Sequence, residues 1–275
     1  AIGANVILTF VQVVGGLVSG SLSLVADALH NLSDAASLFI ALIAIRIGRK
    51  PADQIKTFGY KRAETIAALI NLTTLIAIGV YLMGEALRRF FVPEPITGWL
   101  VVAVASVALV VDVYTAVLTW RQSKNSMNMR AAFLHNVTDA MASVGVIIAG
   151  TLIMLKGWVI VDTIMTLVIA GYVLYHGIKA MPDVIHLLMN GAPHDVNIPD
   201  LTKQMESRPG VHDVHHVHVW HIDEQRLAME AHVQIGKDED MSKVKQDLKE
   251  MMRDEFDIHH STLEFEFPDE DCVSC

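Results

Sequence analysis

Cysteine is nearly absent from this 275-residue chain. There are two, Cys272 and Cys275, in one C-x-x-C spacing, too few for a disulfide framework. Charge is scarce as well: Asp, Glu, Lys and Arg make up 19%, and long stretches before residue 197 carry almost none. The chain also has no glycine-rich phosphate loop, no nucleophile beside a base and no basic face. These gaps exclude nucleotide hydrolysis, covalent catalysis and nucleic-acid binding, so any work against a gradient has to be driven by another gradient.

What the chain does have is apolar length. Hydrophobic residues are 52% and mean hydropathy is +0.41, too apolar for a soluble domain of this size. A membrane span needs roughly 20 helical residues, and such runs lie at about 1–20, 21–46, 63–88, 97–120, 128–155 and 159–181. The expectation is a bundle of six transmembrane helices over 1–181, in contact with a lipid bilayer. The first run has neither a basic start nor a cleavage site, so it reads as a span and not a signal peptide; it opens on Ala1 without Met, and a preceding segment is expected.

Residues 1–196 hold 13 basic and 11 acidic side chains, whereas 197–275 hold 8 and 19. The tail is therefore read as an acidic soluble domain, 197–275, after a linker at 182–196. Basic residues favour one set of loops: Arg46, Arg49, Lys50, Lys56, Lys61 and Arg62 after the second span, Arg121, Lys124 and Arg130 after the fourth, and Lys179 at the end of the sixth. Only Arg88, Arg89 and Lys156 lie in the opposite loops. The positive-inside rule then puts both termini and the tail in the cytoplasm.

One motif occurs twice inside the apolar sequence. LHNLSDAAS begins at Leu29 and LHNVTDAMAS at Leu134, so His30 and Asp34, and His135 and Asp139, are i,i+4 pairs on the second and fifth helices, about 6 Å apart along each axis. These helices run in opposite directions, and side by side they would set each His level with the other's Asp. An aspartate at mid-membrane costs about 2.5–3.5 kcal/mol, so two of them call for a counter-charge. A divalent cation supplies it, and two nitrogens with two oxygens suit Zn2+ better than Mg2+ or Ca2+, which prefer oxygen shells. The plainer alternative is that each His bonds its own Asp and merely glues the bundle.

Nearby polar residues are expected to support the motif. Asp27 is read either as a proton-path or supporting group or as a headgroup-level residue, and Asp112 either as part of an access path or as a packing residue. Asn31 and Asn136 are expected to make interhelical hydrogen bonds. A metal-binding His must shed its proton, so metal and H+ compete at these nitrogens. A membrane metallohydrolase would need an open metal position, which four ligands would close, and a membrane-bound zinc sensor would need only the tail.

The tail reads as helix, strand, strand, helix, strand, an αββαβ layer structure of α+β class. Pro209-Gly210 ends the first helix, His212–His221 and Leu227–Ile235 alternate, Met241–Phe256 has helical spacing and Ser261–Phe267 alternates again. Nine of the 13 histidines lie at or beyond His194, and five crowd into 212–221, which points to metal sensing. Strict period-two alternation would put His216 and His218 with Trp220 on one face of the strand and His215 and His221 on the other. His232, Glu264 and Glu266 would oppose the apolar sets Met229/Ala231/Val233 and Leu263/Phe265/Phe267. Cys272 and Cys275 suit thiolate ligation, or are free thiols.

These stretches carry a family likeness. GSLSLVADALHNLSD, RKPADQIKTFGYKRAE, RAAFLHNVTDA and VHHVHVW are similar to signatures of the cation diffusion facilitator family, in its bacterial zinc-efflux branch, across essentially the whole chain. The resemblance implies a homodimer with a ferredoxin-like, metallochaperone-like cytoplasmic domain, exchanging cytoplasmic Zn2+ for external protons through His30, Asp34, His135 and Asp139. It implies His215 or His216 with His232, Glu264, Cys272 and Cys275 as candidate ligands in the tail, and the absence of a His-rich loop between the fourth and fifth helices points to a bacterial inner membrane as the setting. Two departures stand out. Where many relatives place an Asp and two His in the loop after the second helix, this chain has Asp53, Lys56 and Tyr60, so no metal is expected there. Arg62 matches one partner of an intersubunit charge pair, but Met189 stands at the acid's position, which leaves Asp183 as a substitute.

Overall fold

The computed structural model describes residues 2–123, 127–223 and 226–268. The helices are α1 (Ile2–Ser19), α2 (Leu22–Gly48), α3 (Arg62–Phe91), α4 (Gly98–Ser123), α5 (Met127–Lys156) and α6 (Ile160–Leu188), followed by α7 (Ile198–Glu206), β1 (Val211–His221), β2 (Leu227–Ile235), α8 (Met241–Phe256) and β3 (His260–Glu266). Among the described residues five helices, α2 to α6, are long and apolar enough to cross a membrane; α1 is apolar and shorter.

The chain divides into two compact units, Ala1–Ile43 with Ala67–Met181 and Ala44–Ile66 with Pro182–Cys275. Inside the first, Leu22, Leu24 and Ala26 of α2 pack with Leu82 and Ala86 of α3, Val101 and Ala105 of α4, Val146 of α5 and Ala170 of α6. Alanine recurs at these contacts because small side chains let helices approach closely where no water drives them together. Phe10, Leu17, Tyr81 and Val110 point outward and are mostly exposed, an apolar exterior that suits lipid and not water.

In the second unit α6 ends at Leu188. Pro182 sits inside it, removing one backbone hydrogen bond without ending the helix, so 182–188 of the expected linker is helical. Asn197 caps α7 through the amide of Asp200, and Asp240 caps α8 through Ser242 and Lys243. The sheet order is β1-β2-β3, with β1 antiparallel and β3 parallel to β2. The parallel pair follows from α8, which carries the chain back across the sheet. Leu201 and Met205 of α7 and Val244, Leu248, Met251 and Met252 of α8 bury one sheet face against Val214, Val219, Met229, Ala231, Val233 and Ile235.

The alternation read from β2 and β3 is seen in that core, but not the alternation read from β1. The register shifts between His215 and His218, and His216 has φ +51, in the left-handed region. This is a β-bulge, which adds one residue to a strand and restarts the alternation on its far side. His215 and His216, expected on opposite faces, therefore both lie beside His232, with ring centroids 5.5 and 4.9 Å from it.

Candidate metal centres

The repeated motif closes on itself. His30 Nε2 lies 3.7 Å from Asp34 Oδ2 and 3.5 Å from Asp139 Oδ1, and His135 Nε2 lies 3.3 Å from both Asp34 Oδ2 and Asp139 Oδ2. Each histidine thus faces both carboxylates. Donors bound to one tetrahedral Zn2+ at about 2.0–2.1 Å lie roughly 3.4 Å apart, and the four separations bracket that value. One donor each from His30, Asp34 and His135 falls within 4.8 Å of the others, with Asp139 alongside.

The hydrogen bonding agrees with a ligand role. Among the described residues six buried side-chain atoms lack a hydrogen bond of proper geometry, and two of them, Asp34 Oδ2 and Asp139 Oδ1, are carboxylate oxygens that face the histidines. A buried acceptor left unmade costs about 1–3 kcal/mol, more when charged, so glue alone is a poor account of this cluster.

The flanking polar groups are built into the bundle. Asp27 is 1% exposed and accepts a 2.6 Å hydrogen bond from Gln12 Nε2, while Gln12 Oε1 accepts from Asn31 Nδ2 at 3.2 Å. Asp27 is therefore an interior group joined to α1, not a residue on the bundle's exterior. Gln12 was not singled out from the sequence, although it is one of only two amide side chains, with Asn5, in the apolar run of α1. Asp112 is buried and accepts from Ser143 Oγ at 2.9 Å, tying α4 to α5, and Asn136 reaches Thr119 at 3.5 Å across the same pair.

A second cluster lies on the sheet. His215 Nε2 is 3.3 Å from Glu266 Oε2, His232 Nδ1 is 2.7 Å from Glu266 Oε1, and His232 Nε2 is 3.6 Å from Glu264 Oε2. His215, His232 and Glu266 offer donors within 4.8 Å of one another. Glu266, near the end of β3 and 9% exposed, joins the group that the sequence assigned to Glu264, whose side chain is 69% exposed. The parallel register sets Glu264 opposite His232, and Glu266 lies one pleat further on the same face. The bulge adds His216, whose ring is 4.7 Å from that of His218. Cys272 and Cys275 lie outside the described residues.

In the loop after α2, Asp53 is already engaged. Its Oδ1 accepts from the amides of Ile55 and Lys56 at 2.8 and 2.7 Å, and its Oδ2 from the Tyr60 hydroxyl at 2.6 Å. Chiefly through Tyr60, these bonds hold the carboxyl below its ordinary value. Arg62 donates to the carbonyls of His221 and Ile222 at 2.9 and 3.2 Å and to Asn190 Oδ1 at 2.5 Å. Within one chain its guanidinium thus meets neutral acceptors next to Met189, and not Asp183.

Two family models match. That of the cation efflux transmembrane domain covers residues 1–189, and that of the cation efflux protein cytoplasmic domain covers 193–267. The chain is 35% identical to the zinc transporter ZitB of Escherichia coli over 97% of this chain and 86% of that one. It is 35% identical to a cadmium, cobalt and zinc/H(+)-K(+) antiporter of Bacillus velezensis over 93% and 83%. The metal-bound C-terminal domain of the CzcD transporter from Cupriavidus metallidurans is 32% identical, covering 26% of this chain and 99% of that one, with a TM-score of 0.25, too low for the likeness in shape to carry weight.

Proposed function

Because the chain belongs to the cation efflux family, we propose that it carries Zn2+ out of the cytoplasm in exchange for protons by alternating access, with His30, Asp34, His135 and Asp139 as the transport site. The observation that carries this reading is the meeting of two motifs 105 positions apart at separations of 3.3–3.7 Å, with buried donor atoms left unmade. The cargo is inferred from the donor set and from the relatives' names, one a zinc transporter and one a cadmium, cobalt and zinc/H(+)-K(+) antiporter. A bound metal neutralises the two carboxylates. Its departure lets protons take the imidazoles, so metal and H+ compete for the same nitrogens.

On this reading α1 is the first of six spans over 1–181, both termini face the cytoplasm of a bacterium, and 197–275 pairs with a second copy. His215, His232 and Glu266 with His216, His218 and Glu264 form a regulatory metal site in that domain. A sensor without transport has no use for a four-donor site built between two apolar helices, and a hydrolase would keep one metal position open, so neither is favoured. The test is zinc flux into proteoliposomes under an imposed pH gradient. The wild type is expected to transport and Asp139→Ala to be inactive; equal flux from both would reduce the repeated motif to helix glue.

A further inference from the structure

We propose that Asp162, which belongs to neither cluster, is a positioning residue that fixes the N-terminal end of α2 and so sets where His30 and Asp34 stand. The inference rests on the reading of the membrane motif as a metal site.

Asp162 is fully buried in the first turn of α6. Its Oδ1 accepts from the hydroxyls of Ser21 and Ser23, each at 2.5 Å, and its Oδ2 accepts from the amides of Leu22 and Ser23 at 2.8 and 3.3 Å. Leu22 and Ser23 open α2, so these amides are among the four that a helix cannot pair internally. One carboxylate thus serves the positive ends of two helices, its own and α2, which stabilises its charge without a cation. Ser21 adds a second layer, since its hydroxyl also accepts from the amide of Leu24 at 3.2 Å.

The turn before α2 is held as tightly. Gly20 has φ +76, and a Cβ there would lie 2.6 Å from the Pro95 carbonyl oxygen, so only glycine fits. Its own carbonyl accepts from Arg89 Nη1 at 2.6 Å, and the carbonyl of Ser19 accepts from the amide of Thr97 at 2.8 Å. From this fixed end His30 is eight residues on, about 12 Å along the helix. A metal site needs its donors within about 0.5 Å of the working geometry, so a shift of α2 at its cap reaches the site as lost coordination.

The experiment is the visible spectrum of Co2+ bound to the purified full chain carrying His215→Ala and His232→Ala, which leaves the membrane cluster to report. The parent is expected to give the intense bands of four-coordinate cobalt. In Asp162→Asn the bands should weaken toward a six-coordinate spectrum and affinity should fall about ten-fold or more, with Asp162→Glu restoring part of both. Ser21→Ala with Ser23→Ala leaves Asp162 intact, should fall between, and decides the matter if the Asp162 variants do not fold. Unchanged bands and affinity, even with a lowered melting temperature, would make Asp162 a purely structural residue and overturn the proposal. If the parent shows no four-coordinate spectrum, or Asp34→Ala leaves it unaltered, the metal-site reading fails first and this inference goes with it.

Discussion

The two histidine and carboxylate clusters differ in how their donor atoms are occupied. In the membrane cluster the buried Asp34 Oδ2 and Asp139 Oδ1 have no hydrogen bond of proper geometry. On the sheet, His215 Nδ1 is bonded to Asp213 at 2.7 Å and His232 Nδ1 to Glu266 at 2.7 Å. A metal entering the first cluster relieves unmade interactions, whereas one entering the second has to replace hydrogen bonds that already exist. The first arrangement suits a site that must be filled by some cation or proton throughout its cycle. The second suits a site that stays folded when empty and fills only when metal is plentiful.

The comparison breaks most sharply if the two clusters do not separate in function. Asp139→Ala is expected to lower zinc flux by at least about a hundred-fold, since even outer partners of a metal ligand are worth 10–100-fold. His232→Ala should leave flux at saturating zinc largely intact while weakening zinc binding to the sheet by about 10–100-fold in calorimetric titration. Equal losses of flux from both would mean that the sheet cluster belongs to the transport path.

Deleting His216 sharpens the same contrast. Without the extra residue Val217 pairs plainly with Ala231 and His215 stays opposite His232, so the sheet loses His216 alone, and its zinc affinity should fall about ten-fold, near the lower end of the His232→Ala effect. An unchanged titration would exclude His216 from the site.

The smallest expected effect concerns the loop that has neither cluster's histidines. Asp53 is held below its ordinary value chiefly by the Tyr60 hydroxyl. A carboxyl depressed in the folded state contributes stability above its unfolded value of about 4, and loses it as pH falls through the lowered folded value. Tyr60→Phe should let the Asp53 titration, followed by NMR, move up toward about 3.9, with little change at neutral pH. A titration that does not move would assign the whole shift to the amides of Lys56 and Ile55.

How much could be read in advance follows from the range of the forces involved. The i,i+4 spacing of His30 with Asp34 and of His135 with Asp139 is local helix geometry, so the motif and its facing were legible. The same holds for the apolar runs that became α2 to α6 and for the alternating β2 and β3. The β1 reading failed at His216 because a bulge is a pairing event: nothing in VHHVHVW marks which residue will be left over when two strands of different length meet. Glu266 was passed over for Glu264 because only the parallel register, set by the α8 crossover, decides which pleat of β3 lies beside His232 and His215. Gln12 and Asp162 were overlooked because each looks like one stray polar residue until its partner arrives, from 15 positions away for Gln12 and 139 to 141 for Asp162.

By itself the amino-acid order determined that this chain needs a membrane, that it repeats one chelating pair on two helices, and that a histidine-rich α+β tail follows. Hydropathy and helical or strand period act over a few neighbouring residues, and the sequence states them directly. Tertiary structure alone decided that the four side chains meet at metal-ligand separations, that Asp162 caps a helix it does not belong to, and that a bulge gathers His215 and His216 around His232. Those outcomes depend on which buried polar groups find one another across long stretches of chain, and that choice is made by packing and by the cost of leaving any of them unpaired.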